Sequence, residues 1–221
     1  MRRVSLLVVV LVAIAGPLAA QVVPSPYRFL EKSQGLGVQA GYLFTDRGEF
    51  DTGPHSAPLV GLEYRGRFAG PLSGIVSLSY LPSERTVYGQ GANSTVAALG
   101  DTDAHLILAQ AGLEFTVTGA RTWHSLAPFL GASFGLIANV SGRSDLETDA
   151  SLPETQLVDL GPSFAVGGSA GTDWFISDRF SVRAAGRGNL WRFKTPAGIA
   201  GREETEWLLN AGGTLGVAFH F

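Results

Sequence analysis

The last fifteen residues, Trp207–Phe221, read WLLNAGGTLGVAFHF. Odd positions are apolar or small (Trp207, Leu209, Ala211, Gly213, Leu215, Val217, Phe219, Phe221), and even positions from Asn210 onward are polar or small. Strand side chains alternate faces with a period of two, so this stretch is a strand with one greasy face and one small, wet face. A long alternating strand ending on an aromatic residue fits a β-barrel whose greasy face meets lipid, as in the bacterial outer membrane.

Seven further segments carry the same alternation. They are Gly35–Phe44, Leu59–Phe68, Leu72–Leu81, His105–Val117, Leu126–Val140, Leu160–Phe175 and Phe180–Arg192. Connections of very different length separate them. Residues 45–58, 82–104, 141–159 and 193–206 read as long loops, and 69–71, 118–125 and 176–179 as short turns. Short turns on one side and long loops on the other define an up-and-down transmembrane barrel. The expected fold is therefore all-β: an eight-stranded antiparallel barrel over residues 35–221, with both ends on the periplasmic side. A soluble barrel with the greasy face turned inward would have to crowd Phe44, Tyr64, Phe68, Tyr80, Trp174, Phe180, Phe219 and Phe221 into one small interior. Phe44, Tyr80 and Trp207 fall at one set of strand ends, and Phe68, Trp174 and Phe180 at the other, which reads as two interfacial aromatic girdles.

The N-terminus begins Met1-Arg2-Arg3, runs apolar from Val4 to Ala15, and ends in small residues to Ala20. This is the pattern of a cleaved signal peptide over residues 1–20. Residues 21–34, with Pro24, Pro26, Tyr27 and Phe29, are expected to form a periplasmic segment that either trails freely or braces the lower mouth. Cysteine is absent, so no disulfide framework supports the fold. The formal net charge of −3 becomes −5 without Arg2 and Arg3, which argues against nucleic acid as a partner.

Signal peptide, eight alternating strands and the ending Val217-x-Phe219-x-Phe221 resemble the small outer-membrane barrels of the OmpA, OmpX and OmpW type. That resemblance implies that Leu215, Val217, Phe219 and Phe221 form the signal read by the barrel-assembly machinery. A barrel in that membrane is expected to contact outer-membrane lipids and lipopolysaccharide. The peptidoglycan-binding domain of full-length OmpA-type chains has no counterpart in the sequence.

The inward faces carry Glu63, Arg65, Arg67, Glu114, Asp173, Arg183 and Arg187. An isolated charge in a low-dielectric interior is very costly, so these side chains are expected to pair into a network serving as the barrel's core in place of a hydrophobic one. The expected role is that of a scaffold displaying surface loops. The alternative is a narrow channel or conduit for small hydrophobic molecules, and a lipid-modifying enzyme comes third. The four histidines, His55, His105, His124 and His220, lack any flanking nucleophile motif, so no catalytic residue is assigned. The run Asp145-x-Glu147-x-Asp149, with Glu154 and Asp159 nearby, offers oxygen ligands for Ca²⁺ but lacks the glycine and closing Glu of a calcium loop. It reads as a solvated acidic loop. No cofactor and no metal site is expected.

Overall fold

The computed structural model describes residues 25–90, 96–142, 144–158, 160–201 and 204–221. The signal peptide expected over residues 1–20 lies outside them, as do Arg143 and Asp159. Ten strands follow in chain order: β1 (Tyr27–Phe29), β2 (Gln34–Thr45), β3 (Ala57–Ala69), β4 (Leu72–Gln90), β5 (Val96–Thr116), β6 (Arg121–Trp123), β7 (Leu126–Asn139), β8 (Ser163–Phe175), β9 (Phe180–Thr195) and β10 (Glu204–His220). Eight of these form a closed antiparallel ring in the order β2-β3-β4-β5-β7-β8-β9-β10.

The ring closes where β10 pairs with β2, from Asn210 opposite Thr45 down to His220 opposite Gly35. Phe221 extends the seam by one residue. Its N–H donates to the Gln34 carbonyl at 3.0 Å, and the Gln34 N–H donates back to the Phe221 carbonyl at 3.3 Å. Closure leaves no unpaired edge, which lipid would not tolerate. The turns at the end where Gln34 meets Phe221 are tight. Gly70 adopts φ +51° between β3 and β4, and His124 and Ser125 adopt φ +49° and +66° in the two-residue link between β6 and β7. A two-residue hairpin link twists correctly only when both residues take positive φ.

Two findings depart from the sequence reading. Residues 82–90 and 96–104, expected as loop, are strand. β4 and β5 stay paired from Leu81 opposite Leu106 up to Gln90 opposite Val96. β3 leaves β4 at Tyr80 and β7 leaves β5 at Leu106, so this hairpin runs on past the ring for about 30 Å of strand length. Alternation fades there because Thr86 and Val87 are buried on opposite faces, one beneath the first loop and one beneath the third. In the last long connection, too, β9 runs on to Thr195 and β10 starts at Glu204.

The N-terminal segment is a strap. β1 pairs with β6 in the turn between β5 and β7, whereas β2 lies across the ring beside β3 and β10. Residues 30–33 must therefore cross the mouth of the barrel at the end where Gln34 meets Phe221. Both ends of the crossing are tied: the Leu30 N–H donates to the Ala120 carbonyl at 2.9 Å, and the Arg67 N–H to the Ser33 carbonyl at 2.7 Å.

Candidate functional site

The lumen is built in two storeys, and their contents decide what can pass. Inward side chains of β3, β5, β8 and β9 meet in the lower storey around Arg183. Its Nε donates to Asp173 Oδ1 at 2.9 Å, Nη1 to Glu63 Oε1 at 2.5 Å and Nη2 to Glu114 Oε2 at 2.6 Å. Its guanidinium also lies 3.8 Å from the centre of the Phe129 ring, within cation–π range. Arg65 donates to Asp173 at 2.8 Å and to Glu63 at 3.0 Å, and stands 3.4 Å from Glu114. Arg187 reaches Gln39 Oε1 at 2.8 Å and approaches Glu63 at 3.8 Å. Three carboxylates thus face three guanidiniums in a space with almost no solvent. Arg67 lies apart from them at the mouth crossed by the strap, where its Nη1 donates to the strap carbonyl of Leu30 at 2.8 Å.

The upper storey is a hydrophobic core. Leu43, Leu59, Leu81, Leu106, Leu108, Ile137, Trp191, Phe193 and Leu208 pack together there, each no more than 2% exposed. This corrects the expectation that charges replace a hydrophobic core throughout the barrel. The ionic layer fills the lower lumen and greasy packing the upper. Glutamine and asparagine mark the boundary: Gln110 Nε2 donates to Asn189 Oδ1 at 2.8 Å, and Trp191 Nε1 to Asn210 Oδ1 at 3.4 Å. At that level a Cβ on Gly167 would lie 2.4 Å from Asn189 Oδ1 and 2.8 Å from Ser133 Oγ, so those side-chain ends would have to move to admit it. Two cavities touch the lower storey, each of about 20 Å³. Such a volume holds about one water molecule, so neither is a channel.

Above the core, the third loop packs as a lid. Helix α1 (Asp145–Asp149) is N-capped by Ser144, whose Oγ accepts from the Glu147 N–H at 3.2 Å while Glu147 Oε2 accepts from the Ser144 N–H at 3.1 Å. This reciprocal capping satisfies two helix-end donors. The remaining Glu147 oxygen pairs with Arg85 of β4. Burial pushes the Glu147 carboxyl up, but Arg85 and the Ser144 contacts outweigh it and hold it below the usual carboxylate range. The acidic run is therefore not solvated throughout: its central carboxylate turns inward, while Asp145 and Asp149 stay exposed. Replacing Glu147 by Ala is expected to fray α1, as loss of a capping contact costs about 0.5–2 kcal/mol. Faster protease cleavage within residues 144–158 of the refolded protein would show it. With the folded-state pKa depressed, the Glu147 contribution is present above the ordinary carboxylate range and lost as pH falls through the lowered value.

The outer surface shows the opposite chemistry. Every strand of the ring exposes large apolar side chains, among them Val38, Leu62, Leu78, Leu113, Leu130, Val166, Leu190 and Leu215. An apolar belt encircling a closed barrel is a bilayer-facing surface. Phe68, Trp174 and Phe180 project at its edge nearer the strap, and Phe44, Tyr80 and Trp207 at the other. Leu215, Val217 and Phe219 lie on the belt opposite Ala40, Val38 and Leu36, and Phe219 stacks on Phe221 with ring centres 6.1 Å apart.

Two solved structures share this architecture. Neisserial surface protein A superposes with a TM-score of 0.55 at 15% identity, covering 85% of this chain and 97% of that one. The outer membrane protein OprG from Pseudomonas aeruginosa gives 0.50 at 15% identity, covering 86% and 97%. The fold is that of the small eight-stranded outer-membrane barrels. No family model matches the chain, and no curated protein sequence matches it. A likeness of this kind fixes the fold and leaves function to the particular residues.

The histidines fall in four different settings. His55 sits in the first loop, and His105 on β5 bonds the Tyr80 hydroxyl. His124 occupies the turn before β7, packed edge-on against Trp123. The His220 ring lies 2.8 Å from Ser181 Oγ, a pair not legible from spacing alone. The Ser181 hydroxyl is fully buried and His220 nearly so, which makes the pair interior packing beneath the strap.

Proposed function

We propose that the protein is an outer-membrane scaffold that presents a rigid extracellular head rather than a path through the membrane. The observation that carries this reading is the filled lumen, ionic below and greasy above. A conduit needs a continuous opening, and the side chains of the upper storey occupy that space. The head is correspondingly ordered: the β4–β5 hairpin, the first loop against its edge, and the α1 lid across its base.

The partners belong to the same reading. Lipopolysaccharide phosphates suit the outward cations Arg192 and Lys194, which follow the apolar belt on β9 opposite Trp207 and Thr205 of β10. Cations just beyond an aromatic girdle lie at headgroup depth. The barrel-assembly machinery is expected to read the terminal strand through Leu215, Val217, Phe219 and Phe221. Neither nucleic acid nor a catalytic step enters this account. Liposomes carrying the refolded protein should swell no faster in small sugars than empty liposomes, and should take up an apolar fluorescent probe no faster. Swelling or uptake that rises with protein content would favour the conduit instead.

A further inference from the structure

We infer that the outer face of the β4–β5 hairpin carries a divalent-cation site formed by His55, Glu84 and Asp101. One ligand atom from each lies within 4.8 Å of the others. The three come from separate parts of the chain: the first loop, β4 and β5. Backbone contacts hold them in place without any ion. The His55 N–H donates to the Glu84 carbonyl at 2.7 Å, and the Ser83 hydroxyl donates to the His55 carbonyl at 2.6 Å. Pro54 bridges to Arg85 along the same edge. Asp101 is fixed across the hairpin, paired with Thr86.

At the centre is the Thr86 hydroxyl, which donates to Asp101 Oδ1 at 2.8 Å and lies 3.2 Å from His55 Nε2. Arg47 also reaches Thr86, at 2.9 Å, and its own charge is offset by Asp51 at 2.8 Å. With Arg47 neutralised by Asp51, Glu84 and Asp101 leave a local charge of about −2, which one dication balances. One imidazole nitrogen with two carboxylate oxygens suits a borderline ion such as Zn²⁺ better than Ca²⁺, which takes six to eight oxygens. Three protein ligands leave at least one coordination position for water or an anionic headgroup. Bound there, the ion would clamp the first loop to the hairpin edge, whether or not the lumen conducts.

Isothermal titration of ZnCl₂ into the untagged, chelator-stripped protein refolded in detergent tests the site. The expected result is one saturable site per chain, weakened by at least about tenfold in His55→Ala, Glu84→Gln and Asp101→Asn. Glu31→Gln, on the exposed periplasmic strap, should bind as the wild type does. Unheated electrophoretic mobility shows that each variant is folded, since the substitutions lie above the membrane-spanning ring. As a second readout, the visible absorption of bound Co²⁺ should change in His55→Ala. Absence of saturable Zn²⁺ binding, unchanged affinity in folded His55→Ala, or an equal isotherm with Ca²⁺ would overturn the assignment.

Discussion

Replacing Arg183 by Met is expected to lower stability by about 3–5 kcal/mol, read as a fall in the urea midpoint of the detergent-refolded protein at unchanged slope. Arg183 touches Asp173, Glu63 and Glu114 at once, and Arg65 with the more distant Arg187 cannot compensate three carboxylates. The loss measures charges stranded in a nearly dry interior, not the net worth of the bridges. Replacing Arg187, whose carboxylate contact among the described residues is Glu63 at 3.8 Å, should cost clearly less. Equal midpoints for wild type and Arg183→Met would show that water reaches these carboxylates, and the layered lumen would have to be abandoned.

Deleting Phe221 should lower the yield of assembled barrel several-fold while leaving the fold of whatever assembles intact. Phe221 exchanges two backbone hydrogen bonds with Gln34 at the point where the ring closes, and its ring extends the Phe180–Phe219 stack. The residue thus seals the seam and supplies the exposed aromatic end expected to be presented for assembly. Quantifying heat-modifiable barrel in outer-membrane fractions separates that from expression level. Phe221→Ala keeps the backbone bonds and loses the ring, so it divides the two contributions. Normal yield from the truncated chain would contradict this account of the terminal strand.

The ring and its lipid-facing belt were legible because lipid and lumen impose opposite chemistry on alternate residues. Val217-x-Phe219-x-Phe221 and Glu63-x-Arg65-x-Arg67 show this directly. The upper storey was missed where that alternation fails. In Tyr42-Leu43-Phe44, Leu106-Ile107-Leu108, Leu190-Trp191 and Trp207-Leu208-Leu209, both faces are apolar. A strand buried on both sides reads as a continuous run, and these runs all fall toward the extracellular ends. They were the available signal for a greasy upper core. The hairpin above the ring left a weaker trace, because its two faces meet different loops instead of lipid and lumen. No spacing rule could have brought His55 to Glu84 and Asp101, or Arg85 to Glu147, since those contacts depend on how the first and third loops fold back. The ionic layer was readable in composition, but its membership was not: Arg67 faces a strap whose course across the mouth depends on the pairing of Tyr27–Phe29 with Arg121–Trp123.

The filled lumen is the central claim, and single-channel recording in planar bilayers tests it most directly. Refolded wild-type protein should leave the bilayer without stable conductance steps at any applied voltage. A double variant that empties the upper storey, Trp191→Ala with Phe193→Ala, should also stay closed, because the Arg183 layer still blocks the path below. Stable, large steps from the wild-type protein would contradict the account.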